Sequence, residues 1–274
     1  MERLIQANGQ PHYGLFSAAP GQVNYRDFDF RSPMGRRLGP LAKWRRFHQF
    51  QYFGLISETM IGGCALANLS LAGIGFVYLF HPASGRMIER RFKLPLSLGT
   101  RFSQCPDGGI CELRSDNNLL RLDNRASTRE KHLLVELDDG LRIEAAFSET
   151  SPAFQPMCIS TPTAVNGWVY AQKVAGVRCS GSISSALGQF DLEQIGAFAH
   201  HDWSAGYMRP ETHWNWACLS GLTGRQRVGL NLGLVASNFK QVFGRFNGVL
   251  RPVGRPEVPI IDCWGFVEDQ YVKW

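Results

Sequence analysis

A mainly β fold is predicted by three observations: apolar side chains alternate with period two in several short runs, turn residues punctuate those runs, and convincing amphipathic helices are scarce. The 274 residues are 44% hydrophobic and 12% aromatic but only 19% charged, with 29 Gly and 14 Pro. That composition excludes disordered, collagen-like and coiled-coil classes, because charged helix formers are few while apolar and aromatic residues are many. The length can bury a sizeable core and suits one large domain or two packed halves.

Taken in order, residues 1–40 are rich in Gly, Pro, Asn and Arg and read as an irregular lead-in that wraps a domain. An aromatic strand follows from Trp44 to Leu55. From Thr59 to Gly85 there is no charged side chain, which is long enough to span a bilayer. Gly62, Gly63, Asn68, Ser70, Gly73, Gly75, His81 and Pro82 interrupt it, which favours two buried strands, about Met60 to Asn68 and Leu71 to Phe80. Between Lys131 and Glu149, Leu133, Val135 and Leu137 alternate before Asp138-Asp139-Gly140, and Leu141, Ile143, Ala145 and Phe147 alternate after it, the signature of a β-hairpin. Further strands are read at Val228–Leu234 and Ile260–Phe266, and short helices at Ala126–Lys131 and Ser237–Val242. A Pro-bearing break at Ser151–Pro156 divides the chain almost equally. Each half then holds an aromatic strand followed by a Gly-rich one, so the expected organisation is a lead-in (1–40), a first β-barrel half (41–150) and a second (151–274).

Net charge is +6, from 29 Lys and Arg against 23 Asp and Glu. The excess is local: Arg31, Arg36, Arg37, Lys43, Arg45 and Arg46 lie between Arg31 and Ile56 without one acidic residue. A diffuse nucleic-acid binder is disfavoured, and the segment is either a solvated face or a focused positive patch for an anionic membrane or a phosphate group. Seven cysteines show no CxxC pair or regular spacing. They read as buried reduced thiols, which together with a first segment lacking an apolar signal core points to a cytoplasmic protein.

The densest polar and aromatic cluster runs from His200 to Trp216 and holds three of the seven His and three of the seven Trp in 17 residues. An acid or base needs a titratable group whose pKa is moved by apolar surroundings or a partner charge, and His beside Asp among indoles offers both. In an extended chain His200 and Asp202 face one way, His201 and Trp203 the other. Asp202, His201 and Glu211 are therefore the candidate catalytic residues. Trp203, Tyr207, Arg209, Trp214, Trp216 and Asn231 are candidate ligand-binding residues, with Glu58 added because it flanks the uncharged stretch, where burial would raise its pKa; the commoner alternative for such a residue is a turn outside the core. Lys173, and Asp262 with Trp264, are secondary candidates. The competing structural reading has Asp202 capping a turn, Arg209 and Glu211 pairing on the surface, and the indoles as ordinary core. No HExxH, GxxxxGK[ST], GxGxxG or GxSxG occurs, since Gly73-Ile74-Gly75 continues with Phe76-Val77-Tyr78, and no metal or cofactor is expected.

His201-Asp202-Trp203, Gly206-Tyr207, Arg209, Trp214-Asn215-Trp216-Ala217 and Val228-Gly229-Leu230-Asn231-Leu232-Gly233 together resemble the bacterial family DUF2804. More remotely, the pattern is similar to the lipocalin-like group of carotenoid 1,2-hydratases, AttH-like proteins and natural-product cyclases. That resemblance implies two lipocalin-like antiparallel β-barrel or sandwich halves packed together. It also implies a lipophilic small molecule as ligand, with cofactor-free chemistry of hydratase, isomerase or cyclase type. The alternative is a non-catalytic lipid or acyl-chain carrier that docks through its basic segment to anionic membrane or phosphate groups.

Overall fold

Strand-forming runs joined by turns build most of the described chain from His48 onward, after an irregular first segment. The computed structural model describes residues 2–151, 154–163, 165–209, 211–223, 226–233 and 240–273, and among them it is mainly β. The elements are β1 (Gly14–Phe16), α1 (Pro40–Arg46), β2 (His48–Ile56), β3 (Ile61–Asn68), β4 (Ala72–His81), β5 (Arg86–Pro95), β6 (Thr100–Arg101), β7 (Gly109–Ser115), β8 (Asn118–Arg125) and β9 (Glu130–Glu136). After these come β10 (Arg142–Ser148), β11 (Met157–Thr163), β12 (Gly167–Ser185), β13 (Gly188–Asp191), β14 (Phe198–Tyr207), β15 (Glu211–Thr223), β16 (Gln226–Gly233), β17 (Lys240–Leu250) and β18 (Val258–Lys273).

All pairings between these strands are antiparallel. The large sheet runs β5-β4-β3-β2-β14-β12-β10-β9-β8-β7-β6, with β1, β11 and β13 attached through β12. The predicted hairpin is β9–β10, closed by the Leu137 N–H on the Leu141 carbonyl at 2.9 Å with Gly140 at φ +86°. The uncharged stretch forms β3 and β4, joined by a turn in which the Asn68 side chain accepts the Ser70 N–H at 2.9 Å. The helix predicted at Ala126–Lys131 is instead a turn entering β9. The one at Ser237–Val242 falls partly outside the described residues and partly in β17. A helix that the periodicity did not mark, α1, begins at Pro40, where the missing N–H costs nothing.

The large sheet curls until its ends face each other. Cys64, Leu66, Val77 and Leu79 from β3 and β4 share one buried cluster with Cys111, Leu113, Leu120, Leu122, Leu133 and Val135 from β7 to β9. The turn from β5 to β6 ties the two edges, with the Leu96 N–H on Leu71 and the Arg114 N–H on Gly99. A second sheet, β16-β15-β18-β17, covers part of the outer face, and Tyr52, Ile56, Ala65 and Tyr78 of the large sheet pack there against Trp216, Cys218 and Phe266. The division at residue 150 does not coincide with a sheet boundary. β12 and β14 pair with β10 and β2 across it, because alternating apolar residues at Val174, Cys179 and Ile183 belong to the same core as β9 and β10. Six of the seven cysteines are buried and all seven are free thiols.

Candidate functional site between the two sheets

Strand β14 carries the His-Asp-Trp cluster through the middle of the large sheet, flanked by β2 and β12, and all its residues except Ser204 are buried. Covered on both edges and both faces, it offers its polar side chains only protein partners, and Nδ1 of His200, Nδ1 of His201 and Nε1 of Trp203 make no hydrogen bond among the described residues. Its alternation, read from sequence, holds: one face presents His200 and Asp202, the other His201, Trp203 and Tyr207.

The first face looks toward the second sheet. Asp202, opposite Lys173 in register, forms an ion pair with the Lys173 ammonium and accepts the Ser204 hydroxyl at 2.8 Å. The Lys173 ammonium also lies 4.9 Å from the centre of the Trp216 ring, a cation held on an indole face. His200 sits among Tyr52, Trp216 and Phe266 with ring centres 5.3, 6.2 and 5.3 Å away. Its Nε2 is 3.3 Å from the Tyr52 hydroxyl, which is 2.7 Å from the Tyr78 hydroxyl. Tyr78 contacts Gln241, and the Gln241 amide donates to buried Glu268 at 2.9 Å. Burial pushes the His200 pKa down to about 3 and holds both tyrosines well above the ordinary phenol range. At neutral pH this row thus contains a neutral imidazole and two hydroxyls that keep their protons. Two glycines make the space: a methyl group at Gly54 would overlap the His200 imidazole, and one at Gly63 the Tyr52 ring.

The second face looks into the curled sheet. Gln51 Nε2 donates to Asn124 at 3.0 Å and lies 3.0 Å from His201 Nε2. Gln172 and Lys131 both donate to Asp107, at 2.7 and 2.8 Å. Burial, followed by the charges of Lys131 and Lys173, drives the His201 pKa well below its ordinary value. Tyr207 belongs to an aromatic plug with Tyr25, Phe28, Phe30, Phe47 and Trp168, and its hydroxyl donates to the Tyr25 carbonyl at 3.1 Å.

The structure thus brings Asp202 and Trp216 together and separates them from His201, Trp203 and Tyr207, which lie through the sheet. Arg209 and Glu211 are exposed beyond the end of β14. The side chains of Trp214 and Asn231 lie outside the described residues, although the backbone register sets Asn231 opposite Cys218. Glu58 is not in a low-dielectric interior: it is solvent-facing and ion-paired to Arg245 at 2.7 Å, as befits a turn residue beyond the end of β2. It does line an open groove of about 620 Å³ at the seam between the sheets, with Arg178, Phe198, Ser220, Arg245 and Trp264. Phe198, on the groove wall, is two residues along β14 from His200 and on the same face of the strand. Sequence reasoning does not reach His200, Tyr52, Tyr78 or Glu268 as site residues, and it marks Lys173 only weakly. Only strand register could have found them, because they converge from β2, β4, β12, β14 and β18. Among the described residues no group of three His, Cys, Asp or Glu is placed to hold a metal ion.

The family described as "Domain of unknown function (DUF2804)" matches residues 22–234. The chain belongs to that family. No curated protein sequence matches it. Among solved structures, this DUF2804 chain is similar to CghA, solved both with Sch210972 and without it, at a TM-score of 0.55 and 10% identity over 96% of this chain and 99% of that one. Kievitone hydratase from Nectria haematococca is similar at 0.47 and 8% identity over 82% and 89% of the two chains. A putative AttH from Nitrosomonas europaea is similar at 0.46 and 9% identity over 88% and 98%. With CghA, at 10% identity, the likeness is one of fold alone. No helix among the described residues is long and apolar enough to cross a membrane.

Proposed function

We propose that this protein binds a lipophilic small molecule between its two sheets and performs cofactor-free acid–base chemistry on it, of hydratase, isomerase or cyclase type. The observation that carries this reading is the Asp202–Lys173 pair, buried in an aromatic setting where packing alone would favour apolar residues. Replacing a buried ion pair with apolar residues is often neutral or stabilising, so such a pair retained beside Trp216 and a chain of hydroxyls suggests chemistry. The CghA fold, solved with Sch210972, supports the small-molecule part.

In this reading the substrate enters through the seam groove. The Asp202 carboxylate, oriented by Lys173 and Ser204, takes the proton. The Trp216 ring, with the Lys173 ammonium on its face, holds that cation in place beside the carboxylate. Tyr52 and Tyr78, kept protonated, supply hydrogen bonds to a substrate oxygen. His201, Trp203 and Tyr207 position β14 from behind.

The test begins with native mass spectrometry of protein purified from cells, with extraction and identification of the retained metabolite. A bound lipophilic compound that is converted by the wild type and not by Asp202→Asn fits the reading; unchanged turnover in that variant removes Asp202 from the mechanism. A compound retained without conversion by either protein identifies a carrier instead. From sequence alone, Asp202→Asn is expected to leave the fold intact. The partner charge on Lys173 argues otherwise, so the double variant Asp202→Asn with Lys173→Gln, which leaves no unpaired charge, is the necessary control.

A further inference from the structure

We infer that α1 and the turn preceding it form a docking surface for an anionic phospholipid membrane. The inference is independent of the ligand proposed above. A helix normally buries its apolar stripe, yet none of the seven residues of α1 is buried. Leu41 is 74% exposed and Trp44 40% exposed, three residues apart and so neighbouring on the helix surface. Each flank of the helix borders an open groove. One, of about 650 Å³, has Leu41 and Val165 among its apolar walls and Arg31, Arg45 and Arg46 among its cations. The other, of about 640 Å³, sets Trp44 and Pro40 beside Arg37 and Lys43. Val165 is itself 73% exposed.

The charges select the occupant. Arg31 and Arg37 are held by Asp29 at 2.7 Å each, and Lys43 donates to the Arg26 carbonyl at 2.6 Å. Among the described residues, Arg36, Arg45 and Arg46 have no ion-pair partner. Exposed aliphatic and indole side chains interleaved with unpaired guanidinium groups match a surface that is greasy beneath and anionic above, the interfacial region of a bilayer bearing acidic lipid. Trp44 has the amphipathic ring that settles at the headgroup level. The segment is also anchored well enough to act as a fixed face: the Asn166 amide donates to the Arg31 and Ser32 carbonyls at 3.0 Å each, and Tyr25 stacks on Phe47 at 3.7 Å.

The experiment is cosedimentation of the full chain with vesicles of phosphatidylcholine alone and with about 30% phosphatidylserine, at about 0.1 M and 0.5 M salt. Binding is expected only with phosphatidylserine and at the lower salt. Arg45→Ala with Arg46→Ala should weaken it about thirtyfold, on the usual contribution of each basic residue near such a surface. Leu41→Ser with Trp44→Ser should weaken it as well, and because all four positions are exposed the variants should melt at the wild-type temperature. Absence of binding to the acidic vesicles at low salt overturns the proposal, as does equal binding to both compositions. So does a concentration-dependent dimer without lipid that Leu41→Ser with Trp44→Ser dissociates, since a second copy would then cover the face.

Discussion

Mild acid should remove a large share of this protein's stability, because three histidines are folded in as neutral rings. Burial lowers His48 to about 4, with Arg46 adding to the effect, and lowers His200 to about 3; His201 is driven well below its ordinary value by burial and by the ammonium groups of Lys131 and Lys173. In the unfolded chain each titrates near 6.5. The folded pKa values are depressed, so between the two values the unfolded state binds more protons, and stability falls as pH falls through that window. From about pH 7.5 to about pH 5, each histidine subtracts about 2 kcal/mol, and the three together about 6 kcal/mol, against a total of roughly 5–15 kcal/mol for a typical domain. Glu149 opposes this, since burial raises its carboxyl and the folded state takes up that proton first. Equilibrium urea unfolding followed by tryptophan fluorescence at the two pH values measures the loss. His200→Gln, which cannot titrate, should reduce the difference between the two pH values by about 2 kcal/mol whatever its effect at neutral pH. Equal stability of the wild type at both pH values, or the same difference in wild type and variant, would refute the assignment of neutral buried rings.

The ion pair offers a second check: Asp202→Leu alone should cost about 3–5 kcal/mol by stranding the Lys173 charge, while Asp202→Leu with Lys173→Met should fall close to wild type, as read by the same unfolding curves. Gly54→Ala should displace the His200 ring and cost about 1–3 kcal/mol, and the imidazole resonances in a nuclear magnetic resonance spectrum should then no longer show the Tyr52–His200 hydrogen bond. Burial raises the Cys111 and Cys179 thiols to about 12. A thiol reagent under native conditions should therefore label the partly exposed Cys105 first, and reach all seven cysteines only in denaturant; rapid native labelling of Cys111 or Cys179 would contradict the packing.

Much of the fold is legible in the sequence because period-two runs record which face of a strand is buried. Leu133, Val135, Ile143 and Ala145 lie inside as their alternation requires, and β3 and β4 fall within a residue or two of the expected bounds. The opposite facing of Asp202 and His201 is legible for the same reason. What the sequence hides is which strands neighbour β14. Nothing local in Gln51-Tyr52-Phe53 signals pairing with His201-Asp202-Trp203, so nothing singles out Tyr52, and Lys173 stands out only once Asp202 is seen opposite it. Adjacency to an apolar run makes Glu58 a candidate for burial, and the structure shows the alternative, a turn residue in solvent. The helix α1 escapes because seven residues are too few for a periodic signal and its apolar side chains have no core to face.

The seat of β14 has a consequence for biogenesis. Gln51 and His201, which touch in the folded chain, are separated by 150 residues, so the centre of the large sheet stays open until synthesis has passed most of the polypeptide. Until then β2 and β12 present bare edges rich in Phe, Tyr and Val to any passing strand, a topology associated with slow folding and with edge-to-edge sticking. Fragments ending before residue 198 should accordingly precipitate, while β14 supplied in trans as a peptide has a ready-made slot between them.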